Sequence, residues 1–329
     1  MSVCGAAVAP VRRAGTAPAN VAVTLTSTKL RIATRNSPLA LWQAEHVADL
    51  LRATRPDLEV VLVSTDTFGD RRPDLPIPEL GGKGVFSKEI QQLVQEGEAD
   101  LAVHSAKDLQ ALTPEDLTIA AVPERGDPRD AIVGCRLADL PRGATVATGS
   151  NRRSALLRDR RPDLEVVGLR GNIGTRLASV RNHDAIVMAA TALDRLGLAP
   201  PVVERLDAAS FVPQVGQGAL AVEVRAADEG LRELVRAIDH RPTSLAVAAE
   251  RAFLAELGGD CNLPAGAHAE LVSADGGGDP HIRIRGVLAA ADGGHLQRAV
   301  EIGPPSVDPG RVLACTLRKM LEAAPPTSG

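Results

Sequence analysis

Short apolar segments alternate with helix-like segments over most of the 329-residue chain, and this alternation restricts its possible folds more than any other feature. Segments with the length and composition of buried strands lie at 30–33, 60–63, 101–103, 130–134, 144–148, 164–168 and 219–224. Chains of this kind form parallel sheets covered by helices, and their ligands bind beyond the carboxyl ends of the strands. The sequence therefore predicts an α/β fold with a binding site at strand ends.

Helical periodicity fills most of the spaces between these strands. Ser37 and Pro38 are residue types favoured at a helix start, and they predict a helix that ends near Thr54. The loop 65–84 is long and rich in Gly, Pro and Asp, and loops of that length in compact domains are usually functional or mobile. Further helices are predicted at 86–96, 150–160, 174–181, 189–196, within 228–257 and at 309–323.

The charge and aromatic content argue against a nucleic-acid-binding protein. The net charge is −4, with 37 basic and 41 acidic residues, so no bulk attraction to nucleic acid or to an anionic membrane surface is expected. One Trp, four Phe and no Tyr leave few rings on which bases could stack. The longest apolar stretch is far shorter than the roughly 18 residues that a membrane-spanning helix needs.

The cysteines and the N-terminal residues bear on metal binding and location. Four cysteines, at positions 4, 135, 261 and 315, are too far apart for a zinc motif or a small disulfide framework, so no metal is predicted. Residues 1–28 contain no acidic residue, and their Arg pair follows the apolar stretch, which is the wrong order for a secretory signal. We expect residues 1–28 to be a disordered extension, with an organelle transit peptide as the alternative. We expect the protein to be cytoplasmic and monomeric.

Arginines cluster at the predicted ends of strands. Only five of the 37 basic residues are lysines, and five arginines follow strands within a few residues, beside Ser, Thr, Gly or Asn: Arg35, Arg152, Arg153, Arg170 and Arg176. Such turns bring backbone N–H groups, hydroxyls and guanidinium groups around one anion, and a guanidinium binds a carboxylate at two points. Individual arginines could instead be solvated surface residues. Their shared position favours a cleft that binds a polyanion.

Two further positions have side chains with catalytic potential. Asp108 follows Lys107 at the end of strand 101–103, where a carboxylate could form a simple ion pair, or could stabilise a cation and handle a proton. Cys261 lies in the Gly-rich segment 258–264, where a thiol is accessible and could be a nucleophile or an attachment point. An inert buried thiol is the alternative for Cys261.

Ten segments between residues 29 and 320 form an ordered set. They are R-I-A-T-R-N-S-P-L-A-L-W-Q-A (31–44), G-G-K-G-V-F-S-K-E (81–89), A-V-H-S-A-K-D (102–108), R-G-D-P-R-D-A (125–131), R-R-P-D-L (160–164), L-R-G-N-I-G-T-R-L (169–177), D-A-I-V-M-A (184–189), V-G-Q-G-A (215–219), A-E-R-A-F (249–253) and the Cys261 segment. Together they resemble the porphobilinogen deaminase (hydroxymethylbilane synthase) family. An accidental match of ten motifs in order is implausible.

This resemblance implies an α/β fold with two periplasmic-binding-protein-like lobes joined by a hinge, plus a small C-terminal α+β domain. In this chain the first lobe would comprise 29–123 and 219–238, and the second lobe 124–218. The C-terminal domain, 239–329, would carry the cofactor. A disordered N-terminal extension, 1–28, would precede the first lobe.

The resemblance also implies a transferase of porphyrin (haem) biosynthesis. It would join four porphobilinogen units, with loss of ammonia, into a linear tetrapyrrole that uroporphyrinogen III synthase then receives. The primer would be a dipyrromethane cofactor attached to Cys261 by a thioether. Asp108 matches the catalytic acid, and Lys83 and Phe86 fall on a mobile loop with an expected lid role. Cofactor and substrate would be bound by Arg35, Ser37, Lys107, Thr148, Ser150, Arg152, Arg153, Arg170 and Arg176.

The chain departs from the family pattern within several motifs. Ala106 stands where Met is common, and A-T-G-S-N-R-R stands where G-T-S-S-L-R-R is usual, so Gly149 lacks a hydroxyl and Asn151 replaces an apolar residue. Asp260 precedes the cysteine in place of Gly, and its charge would make a thiolate harder to form. Because fold alone does not settle function, two alternatives stay open: a two-lobed anion-binding receptor and an inactive homologue.

Overall fold

The computed structural model describes residues 28–67, 87–259, 263–273 and 278–324. Their strands are β1 (Lys29–Arg35), β2 (Glu59–Thr65), β3 (Leu101–Ser105), β4 (Leu117–Ala121), β5 (Asp130–Val133), β6 (Thr145–Ala147), β7 (Glu165–Val167), β8 (Ala185–Ala189), β9 (Val203–Arg205), β10 (Leu220–Arg225), β11 (Ala265–Val272), β12 (His281–Leu288) and β13 (Gln297–Gly303). Their helices are α1 (Pro38–Thr54), α2 (Lys88–Gln95), α3 (Asn151–Arg160), α4 (Ile173–Ala178), α5 (Ala190–Arg195), α6 (Glu229–Arg236), α7 (Arg241–Glu256) and α8 (Asp308–Glu322), with 3-10 turns at Ala106–Asp108 and Ser179–Asn182.

The strands form three sheets. The first has the order β2-β1-β3-β10-β4 and, with its helices, is called lobe 1; the second has the order β7-β6-β8-β5-β9 and is called lobe 2. The third sheet, β11-β12-β13, belongs to the C-terminal domain. The chain passes from lobe 1 to lobe 2 between β4 and β5, and it returns between β9 and β10. These two crossovers touch, because the Gly126 amide donates to the Gly218 carbonyl at 3.1 Å.

Each lobe has a mixed sheet, whereas the sequence pattern predicts parallel sheets. In lobe 1, β1 runs parallel to β2 and β3, but β10 is antiparallel to β3 and β4. In lobe 2, β6 runs parallel to β7 and β8, but β5 is antiparallel to β8 and β9. A strand that is buried on both faces has the same apolar sequence in either direction, so the pattern cannot distinguish the two. Strands β4 and β9 lie at sheet edges, and the pattern does not predict them.

The first helix illustrates how local sequence positions the site. The Ser37 hydroxyl accepts from the Ala40 amide at 3.3 Å, and Pro38 occupies the first helical turn, as the sequence predicts. The buried face of α1 then packs on β1 and β3 through Ala44, Val47 and Leu51. Because α1 begins where β1 ends, its first turn lies at the carboxyl edge of the lobe 1 sheet.

Besides the crossovers, the two lobes contact each other through α1 and α5. The guanidinium carbon of Arg195 lies 5.5 Å from the ring centroid of Trp42, which stacks on His46 with 5.0 Å between centroids. Arg195 also donates from Nη2 to the Gly218 carbonyl at 2.7 Å. A cation over an aromatic face is stabilising at partly exposed sites, so this contact holds one side of the lobes together.

A buried carboxylate ties the C-terminal domain to both crossovers. Glu250 of α7 is fully buried and accepts from Arg125 Nη1 at 2.6 Å and Nη2 at 3.2 Å. It also accepts from the amides of Gly216 at 2.7 Å and Ala269 at 2.8 Å. Four hydrogen bonds satisfy the two oxygens, as a buried charge requires. Glu250 therefore fixes α7 against the return crossover.

Glu250→Gln is expected to lower the free energy of unfolding by about 3–5 kcal/mol, because it leaves the Arg125 guanidinium buried without a counter-ion. Thermal unfolding of the purified variant measures this loss. The matched control is Glu233→Gln, which breaks an exposed ion pair between Glu233 and Arg236 and should cost at most about 1 kcal/mol. Equal stability of the two variants would show that the Glu250 network contributes little.

Candidate active site

The turn that bears Lys107 and Asp108 is held by the return crossover. It follows β3 directly, and the Ala106 amide donates to the Ala219 carbonyl at 3.0 Å. Gly216 has a φ of +71°, and a Cβ there would lie 2.9 Å from the Ala106 carbonyl carbon and the Lys107 nitrogen. Only glycine fits a left-handed position so close to another backbone. The crossover therefore sets where the Asp108 carboxylate lies.

A small pocket of about 40 Å³ opens beside this turn at the carboxyl edge of the lobe 1 sheet. The predicted residues Arg35, Ser37 and Asp108 line it together. Gln43 and Ser105, which the sequence analysis did not single out, also line it and are joined by a hydrogen bond of 2.9 Å. Gln43 is a polar residue on the buried, otherwise apolar face of α1. A polar residue at such a position in the sequence could have indicated a role in the site.

The second group of predicted residues lies where β6 leads into α3 in lobe 2. The Ser150 hydroxyl caps α3 by accepting from the Arg153 amide at 3.4 Å, and the Thr148 hydroxyl accepts from the Ser150 amide at 3.4 Å. Arg152 and Arg153 are buried, with 3% and 5% exposure. The cap directs both arginines from the first turn of the helix into the lobe.

A carboxylate that the sequence analysis missed receives both arginines. Arg152 donates from Nη1 to Asp130 Oδ2 at 2.7 Å and to the Val212 carbonyl at 2.7 Å. Arg153 donates from Nε to Asp130 Oδ1 at 2.9 Å. The Nε and Nη2 atoms of Arg152 are buried and have no hydrogen-bond partner among the described residues. Arg152 is therefore held inside lobe 2, between the Asp130 carboxylate and the Val212 carbonyl.

Arg170 and Arg176 occupy the next turn of lobe 2, between β7 and α4. Arg170 is exposed, whereas Arg176 is half-buried and donates from Nε to the Gly171 carbonyl at 2.8 Å. Burial, together with the neighbouring charges of Arg153 and Arg170, lowers the pKa of Arg176 to about 10. The guanidinium groups of Arg153 and Arg170 are thus close enough to repel that of Arg176.

Charged groups of both lobes affect the pKa of the Lys107 ammonium. Burial lowers its pKa from 10.5 to about 8; Asp108 acts to raise the pKa, and Arg153 and Arg176 act to lower it. These effects fall steeply with distance, so Arg153 and Arg176 of lobe 2 lie near the lobe 1 turn that bears Lys107 and Asp108. The structure therefore brings together Lys107, Asp108, Arg153 and Arg176 at one place.

Three predicted residues lie outside the described part of the chain: Lys83, Phe86 and Cys261. One described flank of the Cys261 segment is Gly259, where a Cβ would lie 3.4 Å from the Ala111 Cβ. Ala111 is three residues beyond Asp108, and its carbonyl accepts from Arg251 of α7 at 3.1 Å. The end of α7 is thus held close to the chain that follows the Asp108 turn.

Across the described ranges, no helix is long and apolar enough to cross a membrane. Nor do these residues include a group of three or more His, Cys, Asp or Glu side chains that could hold a metal ion. The cationic side chains near Lys107 and Asp108 have carboxylates or phosphates as their natural ligands.

Fold and site together define a two-lobed α/β protein with a group of cationic side chains around the Asp108 carboxylate. A family model described as "Porphobilinogen deaminase, dipyromethane cofactor binding domain" matches residues 30–233, and one described as "Porphobilinogen deaminase, C-terminal domain" matches 244–321. The chain is 42% identical over 304 residues to the porphobilinogen deaminase of Syntrophotalea carbinolica, covering 91% of this chain and 94% of that one. The chain belongs to the porphobilinogen deaminase family, and the resemblance is confirmed.

Two solved structures of binding proteins are also similar to part of this chain. The aliphatic sulphonate binding protein SsuA of Escherichia coli is 15% identical, with a TM-score of 0.37 over 71% of each chain. The methionine binding protein MetQ is 14% identical, with a TM-score of 0.40 over 64% of this chain and 90% of that one. The expected architecture of two α/β lobes and a smaller C-terminal domain is confirmed by the three sheets and the two family models.

Proposed function

We propose that this chain joins porphobilinogen units on a dipyrromethane primer attached to Cys261, with Asp108 as the catalytic carboxylate. The overall activity is that of its family: a transferase that makes hydroxymethylbilane in tetrapyrrole biosynthesis. The observation that best supports the assignment of Asp108 is its juxtaposition with Lys107, Arg153 and Arg176. Each pyrrole ring of the growing chain has an acetate and a propionate, and such a polyacid needs several cations.

The residues of the cleft fit a dipyrromethane with carboxylate side chains. Arg35 and Ser37 line the pocket beside Asp108, and Arg152 lies with Arg153 on the Asp130 carboxylate of lobe 2. With Lys107, Thr148, Ser150, Arg153, Arg170 and Arg176, they are the residues that we propose to hold cofactor and substrate. When bound, the dipyrromethane supplies the ring to which the first porphobilinogen is joined.

Asp108 acts on the substrate at the mouth of this pocket. Loss of ammonia from the aminomethyl group of porphobilinogen leaves an electron-poor cation. A carboxylate at the mouth of the pocket lowers the barrier to that step because it is already oriented towards the developing positive charge. Ser105 and Gln43, which are hydrogen-bonded to each other, complete the polar wall of the same pocket. Arginines on the opposite lobe bind the carboxylates and keep them away from Asp108.

A reversible anion receptor is a poorer fit to this site. Asp108 repels a carboxylate ligand, so a receptor for such ligands gains nothing from it, whereas a reaction through a cation does. Incubation of the full chain with porphobilinogen, followed by an ammonia assay, tests the proposal. Steady release of ammonia is expected. Tight binding without any release would favour the receptor or the inactive homologue.

The remaining parts of the proposal come from the family resemblance. We propose the lobe boundaries 29–123 with 219–238 and 124–218, a cofactor-attachment domain 239–329, and a lid role for Lys83 and Phe86. The protein would act in the cytoplasm as a monomer. Its linear product is reactive, so an enzyme that closes the ring, a uroporphyrinogen III synthase, would receive it.

Lys107 gives this activity an expected pH dependence. Because burial lowers its pKa to about 8, Lys107 loses its positive charge as the pH rises through about 8 instead of near 10.5. The KM for porphobilinogen should therefore rise between about pH 7 and about pH 9, and Lys107→Arg should flatten that rise since guanidinium stays charged. The control is Lys88→Arg on the exposed face of α2, which should keep the wild-type profile. If KM depends on pH in the same way in Lys107→Arg and in the wild type, Lys107 is not the source of the pH dependence.

A further inference from the structure

Asp130 is a buried carboxylate at the start of β5 that the mechanism above does not use. Its side chain is fully buried, and a charge in that position must be paired. Burial raises its pKa, but Arg152 and Arg153 lower it more, to about 2, so the group stays ionised at neutral pH. Asp130 is thus a permanent negative charge beneath the arginines of the cleft.

The two oxygens of Asp130 are divided between consecutive residues of α3. Oδ2 binds Arg152 Nη1 at 2.7 Å, while Oδ1 binds Arg153 Nε at 2.9 Å and lies 2.8 Å from Arg153 Nη2. Successive side chains on a helix point about 100° apart, so two neighbouring arginines do not converge unless something holds them together. Asp130 provides that common anchor.

The anchor also limits the repulsion between the two arginines. Without Asp130, two guanidinium groups with 3% and 5% exposure would be adjacent and uncompensated, and each would move towards solvent. With it, the pair stays buried and keeps a single net positive charge. That charge still attracts an anionic ligand to this part of lobe 2.

Gln217 connects this anchor to the crossovers. Its amide nitrogen donates to Asp130 Oδ1 at 3.0 Å and to the Pro128 carbonyl at 2.7 Å, and its amide oxygen accepts from Arg153 Nη2 at 3.3 Å. The backbone carbonyl of Gln217 accepts from Arg125 Nε at 2.8 Å. The direction of the Arg153 side chain is therefore set by lobe 2 and by both crossovers together.

We propose that Asp130, supported by Gln217, is a positioning residue for the reaction: it acts through Arg152 and Arg153 by holding their guanidinium groups where they meet the carboxylates of substrate and growing chain. This inference rests on the proposed function. It assigns to Asp130 an effect on substrate binding that a purely structural ion pair would not have.

The test compares Asp130→Asn, Asp130→Glu and Gln217→Met in the full-length holoenzyme, with the unfolding temperature, KM and kcat measured for each. Asp130→Asn should raise the KM for porphobilinogen by about tenfold or more, with a smaller change in kcat, because misplaced binding groups commonly cost that much. Asp130→Glu, which restores the charge, should recover part of the loss. Gln217→Met should raise KM in the same direction by a smaller factor.

Asp163→Asn is the matched control, because Asp163 pairs with Arg161 in the same lobe at 2.8 Å but lies outside the cleft group. It should leave KM unchanged even if the unfolding temperature falls. An unchanged KM in Asp130→Asn would overturn the proposal; if that variant does not fold, an unchanged KM in both Asp130→Glu and Gln217→Met would do so. Wild-type protein in the same assay separates the two ideas, since no ammonia release by wild type would contradict the function itself.

Discussion

Asp108→Asn is expected to reduce the rate of ammonia release by about a hundredfold to a thousandfold at saturating porphobilinogen, with little change in stability. The amide has nearly the same size and can still bind a pyrrole N–H through its oxygen, but it carries no negative charge. The cation that forms when ammonia leaves is then not stabilised by a neighbouring negative charge. Lys107 and the arginines opposite it repel that cation, so the loss should be larger than in a neutral pocket.

The control for this variant is Asp116→Asn in the same lobe. Asp116 is exposed, and its carboxylate accepts from Gln95 Nε2 at 3.1 and 2.9 Å. Fluorescence of Trp42, the one tryptophan of the chain, checks that the lobes keep their contact in both variants. Wild-type turnover in Asp108→Asn would remove Asp108 from its proposed role, whatever the control shows.

The parts of the site that sequence predicts correctly depend on local rules. Ser37 caps α1 because a hydroxyl before a first turn can accept a hydrogen bond from a free amide, and this needs no knowledge of the rest of the fold. Polar residues after neighbouring parallel strands meet because those strands end at the same edge. Arg35, Ser37 and Asp108 line one pocket for that reason.

The parts that sequence does not predict depend on distant residues. Asp130 resembles any other aspartate in its motif, because the arginines that give it a role are more than twenty positions away and Gln217 is 87 positions away. Antiparallel β5 and β10 have the apolar runs of parallel strands, so only the crossovers show their direction. Such relations follow from packing and not from local pattern.

Gly149 shows how a departure from a family pattern can have a structural reason. The motif suggests only that a hydroxyl is missing there. In the structure, a Cβ on Gly149 would lie 2.4 Å from the Leu169 carbonyl oxygen, closer than any real contact. A side chain at this position would push β6 away from the turn that bears Arg170. The two turns of lobe 2 are therefore closer in this chain than a serine would allow.

Cys261→Ser is expected to yield a protein without attached pyrrole rings and without ammonia release. A thioether requires a sulfur atom, and a serine hydroxyl ionises far less readily than a thiol, so it does not replace it as a nucleophile. The arginines of the cleft would remain, and porphobilinogen could still bind. With no primer to extend, however, the bound substrate has no ring to which it can be joined. The loss of ammonia release should therefore be complete.

Intact-mass spectrometry of protein from a host that makes haem measures this directly. Wild-type chain should exceed its sequence mass by two linked pyrrole rings, whereas Cys261→Ser should have its sequence mass. Cys135→Ser and Cys315→Ser are matched controls, since both thiols are free and half-buried and neither lies in the cleft group. They should keep the added mass and the activity, because neither sulfur holds the primer. Rings on the Cys261→Ser protein would place the attachment at another residue, and a wild-type chain without them would contradict a covalent primer altogether.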